Sequence, residues 1–141
     1  MKIVVAVDGS EHGLRAVDWC AKYGKMLDAE VIAVHAIELP IYSGGIGYSP
    51  IPIAYTTEEE DEQKRVLNES WCAALTEANV PFKCVVQLGY PANVICEVAK
   101  AEDADLVVTG RRGRGGFAEL MLGSTSHQLA HHVGRPLVIV P

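Results

Sequence analysis

At 141 residues the chain is expected to form one domain, residues 1–141, large enough to bury most of its apolar surface. Hydrophobic residues make up 49% and charged residues 21%, an ordinary globular balance, and no apolar run has the length of a bilayer-crossing helix. The formal net charge of −6 argues against a general DNA or RNA binder, which carries a basic face.

Lys2 to Val7 is a short apolar run ended by Asp8-Gly9-Ser10. It reads as a central strand that opens the domain, because a secretion signal needs a longer apolar region and a small-residue cleavage site. The chain is therefore expected in the cytoplasm. Ser10 suits the N-cap of a following helix, in which Leu14, Val17, Ala21 and Gly24 fall at helical spacing with Cys20 and Leu27 beside them.

Glu30 to Ile37 is a second apolar strand, and His35 inside it reads as a packing residue in preference to a base. Pro40 to Thr57 carries no period and is too long for an ordinary connection, which makes it either a functional flap or partly disordered. The acidic run Glu58 to Glu62 starts a helix at its favourable positive end and reads as a solvated first turn. Leu67, Trp71, Ala74, Leu75 and Ala78 trace the buried stripe of that helix.

Phe82 to Leu88 is the third strand, closed by Gly89. Pro91 opens a third helix with Ala92, Ile95, Cys96 and Ala99 on one face. Asp105 to Thr109 and Arg135 to Pro141 supply the fourth and fifth strands. Strict β/α alternation predicts a parallel sheet with right-handed crossovers, in one doubly wound α/β domain. The four cysteines, Cys20, Cys72, Cys84 and Cys96, show no CxxC or ligand-like spacing and read as buried free thiols.

The chemistry is concentrated after the fourth strand. Gly110-Arg111-Arg112-Gly113 is followed by a nine-residue spacer, by Gly123-Ser124-Thr125-Ser126, and by a helical pattern from His127 to Val133. A glycine-rich turn that feeds a helix lets backbone N–H groups approach an anion in the field of the helix start. Arg111, Arg112 and Arg114 crowd the same loop, against the global charge balance. We read it as a phosphate-binding loop. In doubly wound sheets ligands bind beyond the carboxyl ends of the strands where the order reverses, so Asp8 and Gly110 converge if the first and fourth strands are neighbours.

Val7-Asp8-Gly9-Ser10, together with the spacing Gly-2x-Gly-9x-Gly-Ser/Thr met by Gly110, Gly113, Gly123 and Ser124, resembles the universal stress protein family over nearly the whole chain. The resemblance implies the ATP-binding branch of that family and an adenine-nucleotide alpha-hydrolase-like fold: a five-stranded parallel sheet in the order 3-2-1-4-5, flanked by helices. It also implies a homodimer in which the last strands, Leu137 to Val140, pair across a two-fold axis. Carried over by position, Asp8 contacts the adenosine part beside Ser10, Ala6 and Val7 line the crevice, and the Ala36 backbone meets the adenine edge. Gly110, Arg112 and Gly113, next to Thr109, wrap the ribose and phosphates. Gly123, Ser124, Thr125 and Ser126 bind phosphate oxygens. ATP is the expected ligand, with AMP, ADP or a cyclic nucleotide fitting the same loop, and Asp8 is the candidate Mg²⁺ ligand.

Competing patterns are weaker. Gly113 to Ala118 satisfies the dinucleotide pattern GxGxxG/A, but it does not follow the first strand and lacks the later acidic residue. A Walker A loop would need a lysine before Ser124. His127 and His131 at i, i+4 lack a third ligand nearby and read as surface residues. Asp8, Ser10 and a histidine do not make a hydrolase without the GxSxG elbow, and Asp8 has a plain alternative role in bonding the turn after its strand. Phe117, Leu120, Met121 and Leu122 in the spacer are expected to cover the crevice or a dimer contact.

The leading functional expectation is a nucleotide-dependent regulatory protein of the stress response. A slow ATPase or phosphotransferase in the same crevice, and a non-catalytic dimeric interaction protein, are the alternatives; phosphoryl transfer would need a metal and a residue that positions the nucleophile. A flavodoxin-like electron carrier would need aromatics flanking its ring, and Tyr42, Tyr48 and Tyr55 all lie in one loop.

Overall fold

The computed structural model describes residues 1–38, 55–113 and 122–141. Most of the Pro40–Thr57 segment, with Tyr42 and Tyr48, lies outside the described residues. So do Arg114, Phe117, Leu120 and Met121 and nearly all of the Gly113–Ala118 pattern.

The chain alternates strand and helix: β1 (Lys2–Ala6), α1 (Glu11–Gly24), β2 (Glu30–Ile37), α2 (Thr57–Val66), a π-helical turn (Leu67–Trp71), α3 (Ala73–Glu77), β3 (Phe82–Leu88), α4 (Pro91–Ala101), β4 (Leu106–Gly110), α5 (Ser124–His132) and β5 (Leu137–Val140). The strands form one five-stranded sheet in the order β3-β2-β1-β4-β5, every pair parallel. The expected strand order and the adjacency of β1 and β4 are both met. No described helix is long and apolar enough to cross a membrane.

Parallel strands need apolar residues on both faces, because helices cover both. The period of two along β1 divides them. Ile3, Val5 and Val7 join Ala16, Val17 and Cys20 of α1 and Leu67, Cys72 and Leu75 in one core. Val4 joins Ile32, Val34 and Val107, α4 through Ile95 and Ala99, and α5 through Leu129 in the other.

Three connections end on the same device. Asp28, Asn79 and Asp103 take left-handed φ of 46°, 51° and 51°. The next residue then bonds back into the helix: Ala29 to Gly24, Val80 to Leu75 and Ala104 to Ala99, each at 2.9–3.0 Å. This is the 6→1 closure of a helix C-terminus, and the bonding residue is buried each time. Sequence reading in search of glycine misses these stops, because Asn and Asp also tolerate the left-handed region.

Some expectations are corrected. The buried face of α1 is Gly13, Ala16, Val17, Cys20 and Gly24, while Leu14 and Ala21 are half-buried and Leu27 is exposed. Small residues win this face because the helix lies close to its neighbours: a Cβ on Gly24 would stand 2.8 Å from Val80 Cγ1. The helix after the acidic run does not continue regularly, since Cys72 N–H bonds to Leu67 O across a wide turn before α3 begins. Among the cysteines, Cys20 and Cys72 are buried but Cys84 and Cys96 are only half-buried.

Candidate functional site

The carboxyl ends of β1, β2 and β4 open into a crevice of about 550 Å³. Of the residues singled out from the sequence, Ala6, Val7, Asp8, Ala36, Thr109, Gly110, Arg112, Gly113, Gly123, Ser124, Thr125 and Ser126 all line it. Ser10 does not.

Ser10 acts on the site through Asp8. Its hydroxyl accepts from Gly13 N–H at 3.1 Å, capping α1 as expected of a serine at this position. The same hydroxyl donates to Asp8 Oδ1 at 2.5 Å, and Ser10 N–H donates to that oxygen at 2.9 Å. Gly9 between them takes φ 76°, which the turn requires. Asp8 therefore bonds its own turn through Oδ1, while Oδ2 has no hydrogen-bond partner among the described residues and faces Gly113. Both readings of Asp8 taken from the sequence are compatible with one carboxylate, because each concerns a different oxygen.

The glycines differ in what they make room for. A Cβ on Gly113 would stand 2.7 Å from Asp8 Oδ2. A Cβ on Gly110 would stand 2.4 Å from His12 O and 2.9 Å from Gly13 N, so that glycine admits the backbone of α1. A Cβ on Gly123 would stand 3.1 Å from Arg112 Cα.

Arg111 staples the loop through its backbone. Its N–H donates to Val140 O at 2.7 Å, and its carbonyl accepts from Gly123 N–H at 2.8 Å and from Ser126 Oγ at 2.9 Å. Ser126 also donates to Gly123 O at 3.0 Å and is buried. Its hydroxyl ties the two glycine turns of the loop together at the crevice wall. α5 begins at Ser124, three residues before the pattern from His127, so Ser124 and Thr125 lie inside its first turn. No side chain caps this helix start, whereas Ser10 and Thr56 cap α1 and α2. Its first N–H groups border the crevice with the helix field behind them, an arrangement that suits an anion.

The opposite end of the crevice was not legible in the sequence. His35 lies on its wall, 8% exposed, with Nδ1 at 2.9 Å from Val7 O and the Trp71 ring edge-on at 4.9 Å. It is the packing residue its apolar surroundings predicted. Glu38, Tyr55 and Gln63 complete this end. Tyr55 donates from its hydroxyl to Glu59 O at 3.0 Å, and burial followed by the Glu59 and Glu60 carboxylates raises its pKa above the ordinary phenol value. Gln63 sits in a helix that reads as solvated, and nothing local marks it as a wall residue.

Among the described residues no group of three or more His, Cys, Asp or Glu is gathered for a metal ion. The His127 and His131 rings meet edge-on, centroids 4.9 Å apart, on α5, with no third ligand among the described residues.

A family model described as the universal stress protein family matches residues 1–141. The chain is 32% identical over 148 residues to the universal stress protein Sll1388 of Synechocystis, covering 99% of this chain and 96% of that protein. In structure it is similar to a universal stress protein from Archaeoglobus fulgidus in complex with dAMP, with a TM-score of 0.72 at 20% identity over 100% of this chain and 98% of that one. A universal stress protein in complex with cAMP gives a TM-score of 0.72 at 23% identity over 99% and 95% of the two chains.

Proposed function

The chain belongs to the universal stress protein family, and we propose that it binds an adenine nucleotide, ATP, in the crevice between β1, β2 and β4 as a nucleotide-dependent regulatory module of the stress response. One observation carries this reading: Asp8, Gly110, Gly113 and the uncapped start of α5 border one cavity, although they are spread over more than a hundred residues of sequence. The Gly-2x-Gly-9x-Gly-Ser spacing of the ATP-binding branch falls on that cavity wall, and structural neighbours were crystallised with dAMP and cAMP.

In this reading the phosphates lie against Gly110–Gly113 and the first turn of α5, held by backbone N–H groups, the hydroxyls of Ser124 and Thr125, and Arg112. The adenosine part lies toward Asp8 and the Ala36 backbone. Asp8 Oδ2 is also the carboxylate oxygen that could share a Mg²⁺ ion with the phosphates. The residues fit that ion in the way hard cations are usually held beside nucleotides, with one carboxylate and the ligand itself supplying oxygens. A second copy of the chain is the proposed partner, through Leu137 to Val140 at the sheet edge.

The test is a calorimetric titration of nucleotide-stripped protein with ATP, with and without Mg²⁺, alongside phosphate release over hours. Saturable binding with negligible release is the expected result. Steady release that Asp8→Ala eliminates would make this an ATPase, and no binding of ATP, ADP or AMP would overturn the reading.

A further inference from the structure

We propose that His35 is a positioning residue of the crevice: its imidazole takes over the Val7 carbonyl where β1 and β2 part, and so leaves the Ala36 N–H to receive the ligand. The inference rests on the nucleotide reading of the crevice and adds to it the device that keeps one backbone donor open.

β1 and β2 pair in parallel register from Lys2↔Glu30 to Ala6↔Val34. One further bond is made beyond the strand, where Val7 N–H donates to Val34 O at 2.9 Å. In a parallel ladder the next bond runs from the residue two places on, here Ala36 N–H, back to Val7 O. That bond is not made, since the pairing stops at Ala6 and Val34 and Val7 lies outside the strand. The Val7 carbonyl is held instead by His35 Nδ1 at 2.9 Å. A carbonyl can only accept, so Nδ1 carries the proton.

N–H groups along a strand alternate between its two neighbours. The Ala36 N–H therefore points to the β1 side, as the Val34 carbonyl does, and away from β3. Val7 and Ala36 both line the crevice, so this donor borders the cavity. A backbone N–H left out of a ladder needs another acceptor, and a ring nitrogen of adenine is one. The same hold fixes the carbonyl immediately before Asp8.

His35 is itself held from two sides. It is 8% exposed, and Trp71, the last residue of the π-helical turn, meets its ring edge-on with centroids 4.9 Å apart. A widened helical turn beside a site is a recurrent functional feature. Turning the imidazole away from Val7 would break both contacts.

The experiment follows amide exchange at Ala36 by NMR in the full chain, without ligand and with ATP, and measures ATP affinity by calorimetry. In wild type the Ala36 amide should exchange far faster than that of Val34, which lies within the paired stretch, and ATP should slow it. In His35→Leu the released Val7 carbonyl should accept from Ala36 N–H. The amide then becomes protected without ligand, and ATP affinity falls by about tenfold, the scale of one hydrogen bond. His35→Asn, whose side-chain amide can donate to Val7 O from the place of Nδ1, should restore both readings. Wild-type exchange needs no variant, so a poorly folded mutant does not blunt the test. The proposal is overturned by an Ala36 amide as protected as Val34 in the ligand-free wild type, or by one that bound ATP leaves unprotected. Full ATP affinity in His35→Leu, or protection lost across the whole sheet in both variants alike, would overturn it too. Failure of wild type to bind ATP while the Ala36 amide stays fast would overturn the nucleotide reading and support the His35 hold.

Discussion

At the residue scale, the two glycines of Gly110-Arg111-Arg112-Gly113 have different physical reasons to be glycine. Gly110 is packed against the α1 backbone, so Gly110→Ala drives a methyl group into His12 O and Gly13 N. Overpacking against backbone that cannot swing away should cost about 1–3 kcal/mol, read as a lower midpoint in urea. Gly113 is exposed, and its missing Cβ leaves room at Asp8 Oδ2. Gly113→Val should leave the urea midpoint nearly unchanged while abolishing ATP binding by calorimetry. Retained affinity in the folded Gly113→Val protein would place the nucleotide elsewhere. The spacing of these glycines was visible in the sequence. Which of them serves the fold and which the crevice was not, because the neighbour that decides it, His12, is about a hundred residues away.

At the element scale, α5 turns its start toward the crevice yet is only nine residues long. Such a short helix is held by packing and not by its own propensity. Leu129, fully buried among Val4, Ile32 and Val107, is its anchor. Leu129→Ala should destabilise the protein by about 2–5 kcal/mol in chemical denaturation, through lost burial and the cavity left behind. The start of α2 is sensitive to acid instead. Thr56 and Glu59 form a reciprocal capping box, and the Thr56 backbone N–H first, then its hydroxyl, holds the Glu59 carboxyl below the usual carboxylate range. A carboxylate with a depressed folded-state pKa contributes stability above its unfolded value and loses it as pH falls through the folded one. The protection of the Glu59 amide against exchange, taken relative to its intrinsic rate at each pH, should therefore fall on acidification, and Glu59→Gln should flatten that dependence.

At the scale of the whole molecule, β5 ends the sheet and its outer edge pairs with nothing among the described residues. An open strand edge is a template for another chain. Val138 and Val140 pack on one core and Leu137 on the other, while half-buried Ile139 belongs to neither. If two copies join through this edge, Ile139→Arg should convert a dimer to a monomer in sedimentation while ATP affinity is retained. A wild-type monomer at all concentrations would remove the strand 137–140 interface from consideration.

The succession of strands and helices was determined by the sequence itself, because periods of 2 and 3.6 and the stop signals around them are local. So was the glycine spacing that marks the crevice. Tertiary structure alone decided the face that α1 buries, where close approach selects Gly13 and Ala16 over the more hydrophobic Leu14. It likewise decided that Gln63 and Tyr55 reach the crevice wall. These contacts join residues whose separation along the chain carries no pattern. They exist only once the helices have docked on the sheet.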